Sequence, residues 1–116
     1  MGRRILIADG NVDAAESLAL LLRLHGHEAA TAHTGPAALS AAGDFAPYAA
    51  FLSIGLPGLD GYEVCRRLCG SSSRPRLLVA LTGYGTEDEQ RAAREAGFDL
   101  HLLKPADPNV LLALLA

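Results

Sequence analysis

A chain of 116 residues, half of them hydrophobic, suits one compact domain, and folding at this size buries roughly two-thirds of the surface that the unfolded chain exposes. The formal charge is −3 and the pI about 5.7, which leaves no electrostatic footprint for nucleic acid or an anionic membrane. No apolar run approaches the ~20 residues of a membrane span, and a first strand beginning at Arg4 leaves no room for a signal peptide, so a cytoplasmic protein is expected.

The pattern predicts five strands alternating with five helices. Arg4 to Ala8 is a continuous apolar run, as in a strand covered on both faces. Asn11 can cap the next helix, with Asp13 and Glu16 in its first turns and Ala14, Leu18, Leu21 and Leu22 as its apolar stripe; Gly26 ends it. Glu28 to Ala32 is a weaker strand, and Gly35-Pro36 opens a short helix. Tyr48 to Leu52 is the third strand, ending at Ser53. A turn follows, Gly55-Leu56-Pro57-Gly58-Leu59-Asp60-Gly61. Asp60 with Glu63 has the spacing of a capping box for a helix that turns Val64 and Leu68 inward. Ser71-Ser72-Ser73 is a loop that needs no function. Leu77 to Leu81 is the fourth strand, Thr86 to Glu89 a capping box, Gly97 a helix stop onto which Phe98 folds back. Leu100 to Leu103 is the fifth strand, and Asp107-Pro108 starts the last helix.

Cys65 and Cys69 share a helix face. Two thiols are too few for zinc, and Cβ atoms ~5–6 Å apart on one helix do not reach the ~3.8 Å of a disulfide. Both read as reduced thiols, Cys65 nearer the core and Cys69 nearer solvent. His25, His27 and His33 lie on separate elements without ligand spacing and read as surface residues.

Strict alternation implies an α/β architecture: a three-layer, doubly wound (βα)5 flavodoxin-like fold with a parallel sheet of order 2-1-3-4-5. Ligands bind such sheets at the carboxyl ends of the strands, near the switch point between strands one and three. Those ends carry Asp9, Ser53, Thr82 and Lys104, far apart in sequence but converging in this topology.

Four landmarks in order carry a resemblance that covers essentially the whole chain, residues 1–116: Asp9, the Gly55-to-Gly61 turn, Leu81-Thr82-Gly83 and Lys104-Pro105. Together they resemble the response-regulator receiver domain of two-component phosphorelay signalling. The stretch Ala96-Gly97-Phe98-Asp99 leading into Lys104-Pro105 is most similar to receivers attached to hybrid sensor histidine kinases. The resemblance implies a metal site at Asp9, its neighbour Gly10 and the Gly55 carbonyl, and a phosphoacceptor at position 53. It further implies phosphoryl contacts from Thr82 and Lys104, a switch pair at Thr82 and His101, and a cis Lys104-Pro105 bond.

Two positions depart from the family's pattern. The usual adjacent acids after strand one are Asp9-Gly10 here, and the acceptor aspartate is Ser53. One carboxylate and one carbonyl hold magnesium poorly, so no cofactor is expected. A serine hydroxyl is a weak nucleophile without an activating base. The expectation is therefore a phosphorylation-independent pseudo-receiver with no enzymatic activity. It would bind a histidine kinase or linked domain through helix four, strand five and helix five. Asp9 would then serve chiefly as an ion-pair partner for Lys104, and Thr82 as a loop cap. Two alternatives stay open: a working receiver phosphorylated at Asp9 or Ser53, and an active receiver inactivated by engineered substitutions at positions 10 and 53. The last helix carries Val110, Leu111, Leu112, Leu114 and Leu115, more apolar side chains than one face can bury, so a homodimer or a following domain is expected to cover some.

Overall fold

The structure is a computed structural model and describes residues 2–72 and 74–116. Ser73, part of the predicted serine loop, lies outside the described residues. The order is β1 (Arg4–Ala8), α1 (Val12–Leu24), β2 (Glu28–Ala32), α2 (Gly35–Phe45), β3 (Ala49–Ser53), α3 (Gly61–Cys69), β4 (Leu77–Thr82), α4 (Glu87–Ala96), β5 (Leu100–Leu103) and α5 (Pro108–Leu114). All pairings are parallel and the sheet order is β2-β1-β3-β4-β5, as expected. No described helix is long and apolar enough to cross a membrane.

Strand alternation divides the core into two layers. Leu6, Ala8, Leu52, Leu78 and Ala80 face α2, α3 and α4, where Val64, Leu68 and Phe98 cover them. Ile5, Ile7, Phe51, Val79 and Leu81 face α1 and α5, where Leu22, Leu111 and Leu115 do the same. The central strand β3 is buried along its whole length.

Three local expectations are corrected. The third strand is Ala49–Ser53, one residue later than the hydrophobic run suggested, because Ser53 stays in the ladder opposite Leu81. The buried face of α1 is Ala15, Ala19 and Leu22, while Ala14 is exposed and Leu18 and Leu21 are half-buried. Small side chains face the strands, which lets the helix backbone lie close to them. The capping box of α3 is half made. Asp60 Oδ1 accepts from the Glu63 N–H at 2.9 Å, but the Glu63 carboxylate turns outward to Arg66 and Arg67 at 3.0 and 3.1 Å. Those hydrogen bonds, from Arg67 and then Arg66, lower the Glu63 pKa. At α4 the box of Thr86 with Glu89 closes in both directions.

Gly61 sets how close α3 comes to β3. A Cβ there would lie 2.4 Å from the Ser53 carbonyl oxygen. The Gly61 N–H instead donates to Ile54 O at 3.0 Å, which ties the helix start to the strand end. Gly61→Ala is expected to lower stability by about 1–3 kcal/mol through this backbone clash, measured by urea denaturation. An unchanged midpoint would show that α3 can retreat without loss.

Cys65 is buried and Cys69 half-buried, as the helix spacing indicated. Burial, and then the neighbouring Cys69 thiol, push the Cys65 pKa from 9.0 up to about 12. The folded state thus holds this proton more tightly than the unfolded state. The resulting stability is complete below about pH 9 and is lost as pH rises toward about 12. Cys65→Ala is expected to flatten the decline of stability across that alkaline window relative to the parent. Parallel slopes in denaturation at several pH values would contradict it.

Candidate functional site

The site lies where β1, β3, β4 and β5 end. Asp9 follows β1 and is held from both sides of its backbone: its N–H donates to Ala32 O at 3.0 Å, and its carbonyl lies 3.1 Å from His33 Nδ1. Its side chain is almost wholly buried, and Oδ1 accepts the Asn11 N–H at 3.0 Å. Lys104 leaves β5 with its N–H on Thr82 O at 2.7 Å, and the following peptide bond to Pro105 is cis. Its ammonium donates to Ser53 Oγ at 2.8 Å and lies 3.1 Å from Asp9 Oδ2. One cation thus joins the ends of β1, β3 and β5.

A cleft of about 570 Å³ opens over this group, with Gly10, Gly55 and Gly83 on its walls. A Cβ on Gly10 would stand 3.2 Å from Pro57 Cδ, so the loops after β1 and β3 meet there. Thr82 is fully buried at the end of β4, and its hydroxyl has no hydrogen-bond partner among the described residues. It therefore does not act as the loop cap that its position suggested. His101 sits in β5 opposite Ala80, half-buried, and lines a separate cavity of about 180 Å³ with Gln90, Arg94 and Phe98 rather than the cleft.

Of the predicted site residues, Lys104 directly contacts both Asp9 and Ser53, Gly10 and Gly55 line the cleft, and Thr82 stands behind it. Three contributors were not legible as such. Asn11, predicted only as a helix cap, also gives its N–H to Asp9. Glu89 lines the cleft while its Oε1 accepts from the Gly85 N–H at 2.8 Å. His33, expected on the surface, is half-buried between the Asp9 carbonyl and Glu16, whose carboxylate is 3.8 Å from Nε2. His27 departs from expectation in the same way: its Nδ1 accepts the Arg3 N–H at 3.1 Å, and burial, with the charges of His25 and Arg3, lowers its pKa. The one available signal for His33 was its place directly after β2, beside the switch point.

The donor set does not fit a hard divalent cation, which favours several carboxylate oxygens. Among the described residues that line the cleft the carboxylates are Asp9, whose two oxygens are engaged by Asn11 and by Lys104, and Glu89, which accepts from the Gly85 N–H. Among the described residues no three acidic, histidine or cysteine side chains cluster as metal ligands.

A parallel 2-1-3-4-5 sheet with a polar cleft at its switch point defines a doubly wound domain of the flavodoxin-like class. Residues 5–116 match the family model of the response regulator receiver domain, and the chain belongs to that family, as a receiver domain of two-component systems. The DNA-binding response regulator MtrA of Mycobacterium tuberculosis is 34% identical over 113 residues, 97% of this chain and 49% of the relative. The chain therefore spans about half the length of the curated relatives it matches. A response regulator from Chloroflexus aurantiacus J-10-fl superimposes with a TM-score of 0.88 at 32% identity, covering 98% of this chain and 94% of that one. The receiver domain of a Pseudomonas aeruginosa PAO1 sensor histidine kinase, solved with magnesium in its active-site cleft, has a TM-score of 0.88 at 25% identity, covering 99% and 95%. Receivers attached to kinases and receivers of DNA-binding regulators thus both stand among its relatives.

A buried hydroxyl without a partner costs about 1–3 kcal/mol. Thr82→Val is expected to leave stability unchanged or raise it by up to about 1 kcal/mol. A loss above that size in thermal or urea denaturation would reveal a hydrogen bond at Thr82.

Proposed function

We propose that this receiver works as a phosphorylation-independent protein-interaction module of a two-component pathway, not as a phosphoryl acceptor. The observation that carries the reading is the position of Lys104, whose ammonium is bonded to Ser53 Oγ and paired with Asp9. Position 53 is where the family resemblance places the acceptor aspartate. A serine there needs a base to become a nucleophile. Its hydrogen-bonded neighbour is an ammonium held by a carboxylate, which offers a proton rather than taking one. Asp9 is short of free oxygens as well, with one on Asn11 and one on Lys104.

The partner face of the proposal is α4, β5 and α5. Tyr84 is 84% exposed just before α4, and Leu100, Leu103 and Val110 expose apolar surface along that side. A histidine kinase or a linked domain is the proposed partner class. The domain itself is not an enzyme under this reading, and its place in the cell is the cytoplasm.

Intact mass after incubation with magnesium and phosphoramidate tests the proposal. The expected result is no mass gain from a protein whose circular dichroism shows it folded. Gain of one phosphoryl group would overturn it, and hydroxylamine lability would then assign an acyl phosphate to Asp9 or a stable ester to Ser53.

A further inference from the structure

The net charge of −3 conceals a local excess of positive charge at the edge where the strands begin. Arg3 and Arg4 lie at the start of β1, His27 precedes β2, and Arg23 and His25 stand at the end of α1. Glu28 is turned to Arg4 at 3.6 Å, and Arg23 donates to Ala29 O at 2.8 Å. A cavity of about 540 Å³ lies here, between Arg3, His25 and His27 on one side and Leu112 and Leu115 on the other, with no acidic side chain among its described lining residues. Its polar groups are donors held in place. Arg3 Nε donates to Leu115 O at 3.0 Å and the guanidinium lies 4.0 Å from the Tyr48 ring centroid, while its Nη groups have no hydrogen-bond partner among the described residues. His27 Nδ1 accepts the Arg3 N–H at 3.1 Å, which puts the proton of the neutral ring on Nε2, a second donor. His25 Nδ1 donates to Leu21 O at 3.0 Å, so protonation makes its Nε2 a third. Burial, and then the charges of His25 and Arg3, lower the His27 pKa, as befits a site with positive potential and no counter-charge. The wall is close-packed: Gly2 lies against the Gly26 carbonyl with no room for a Cβ.

We infer that this cavity is a second site, one that binds a tetrahedral oxyanion of the phosphate class through Arg3 Nη, His27 Nε2 and protonated His25. A guanidinium presents paired N–H donors that match two oxygens of a phosphate. The imidazole donors stand on other elements and reach the remaining oxygens, which a planar carboxylate lacks. The cavity lies at the opposite edge of the sheet from Asp9, Ser53 and Lys104, so it is no part of the phosphoacceptor position. The inference is independent of whether Ser53 or Asp9 is ever phosphorylated.

Histidine ring NMR during titration with inorganic phosphate, glycerol phosphate or acetate, at ionic strength held constant with chloride, tests this. The expected result is a saturable shift of the His25 and His27 signals with either phosphate, and a His27 pKa that rises when the anion is bound. The tighter of the two phosphates names the source, free phosphate or an ester. Arg3→Gln is expected to weaken binding about tenfold, as the loss of charged hydrogen bonds requires. Shifts that never saturate would overturn the inference, as would acetate binding as tightly as phosphate or Arg3→Gln binding like the parent. Should Arg3→Gln not fold, His25→Ala replaces it, since His25 is exposed. Weaker phosphate binding read at His27 then supports the site, and parent-like affinity sinks it.

Discussion

The contact on which the site depends is made by one side chain. Lys104 Nζ joins Ser53 Oγ, 51 residues away in sequence, and Asp9 Oδ2, so that the ends of β5, β3 and β1 share a cation. A parallel sheet creates the need for such a contact. Its strands all end on one side, the returning helices cover its faces, and the polar groups at the rim must find partners among the rim's own loops. Asp9 is 11% exposed through its side chain and Lys104 34%, so this pair sits between a surface ion pair, worth little, and a buried one. Breaking such a pair on one side only leaves a nearly buried carboxylate without its counter-charge.

Around this contact the loops are matched to each other. Gly61 brings α3 against the Ser53 carbonyl, and Gly10 meets Pro57 across the cleft. His33 fixes the backbone that carries Asp9. Ser53 is held on both sides, by Leu81 in the ladder and by Lys104 at its hydroxyl. Among the described residues, Thr82 has a buried hydroxyl without a hydrogen-bond partner, outside the network that Lys104 organises. Receiver frames are shared across the family, as the likeness to both a DNA-binding regulator and a kinase-borne receiver shows. The chemistry depends on which atoms stand in the cleft, and fold membership alone does not supply them.

Periodicity and turn chemistry make the architecture legible in the sequence. The apolar runs, the Thr86–Glu89 box and the glycines at 26 and 97 gave the element order and hence the sheet order. The convergence of Asp9, Ser53 and Lys104 followed from topology. What stayed hidden was competition between neighbours. Glu63 matches a capping box in spacing, but Arg66 and Arg67 draw its carboxylate outward. In α1 the stripe is rotated, because Ala15 and Ala19 allow a closer approach than the larger leucines. His27 and His33 carry no pattern of their own, and each is fixed by a backbone group distant in sequence. The orphaned hydroxyl of Thr82 is likewise a property of packing, which spacing does not encode.

The central claim is that Asp9 and Lys104 act as one unit. A double-mutant cycle on stability, with Asp9→Asn, Lys104→Gln and the pair together, measures this directly. The account predicts a coupling of about 1 kcal/mol or more, the double variant losing less than the sum of the single losses. Additivity within about 0.5 kcal/mol would show that the two groups are merely near each other, and would contradict it.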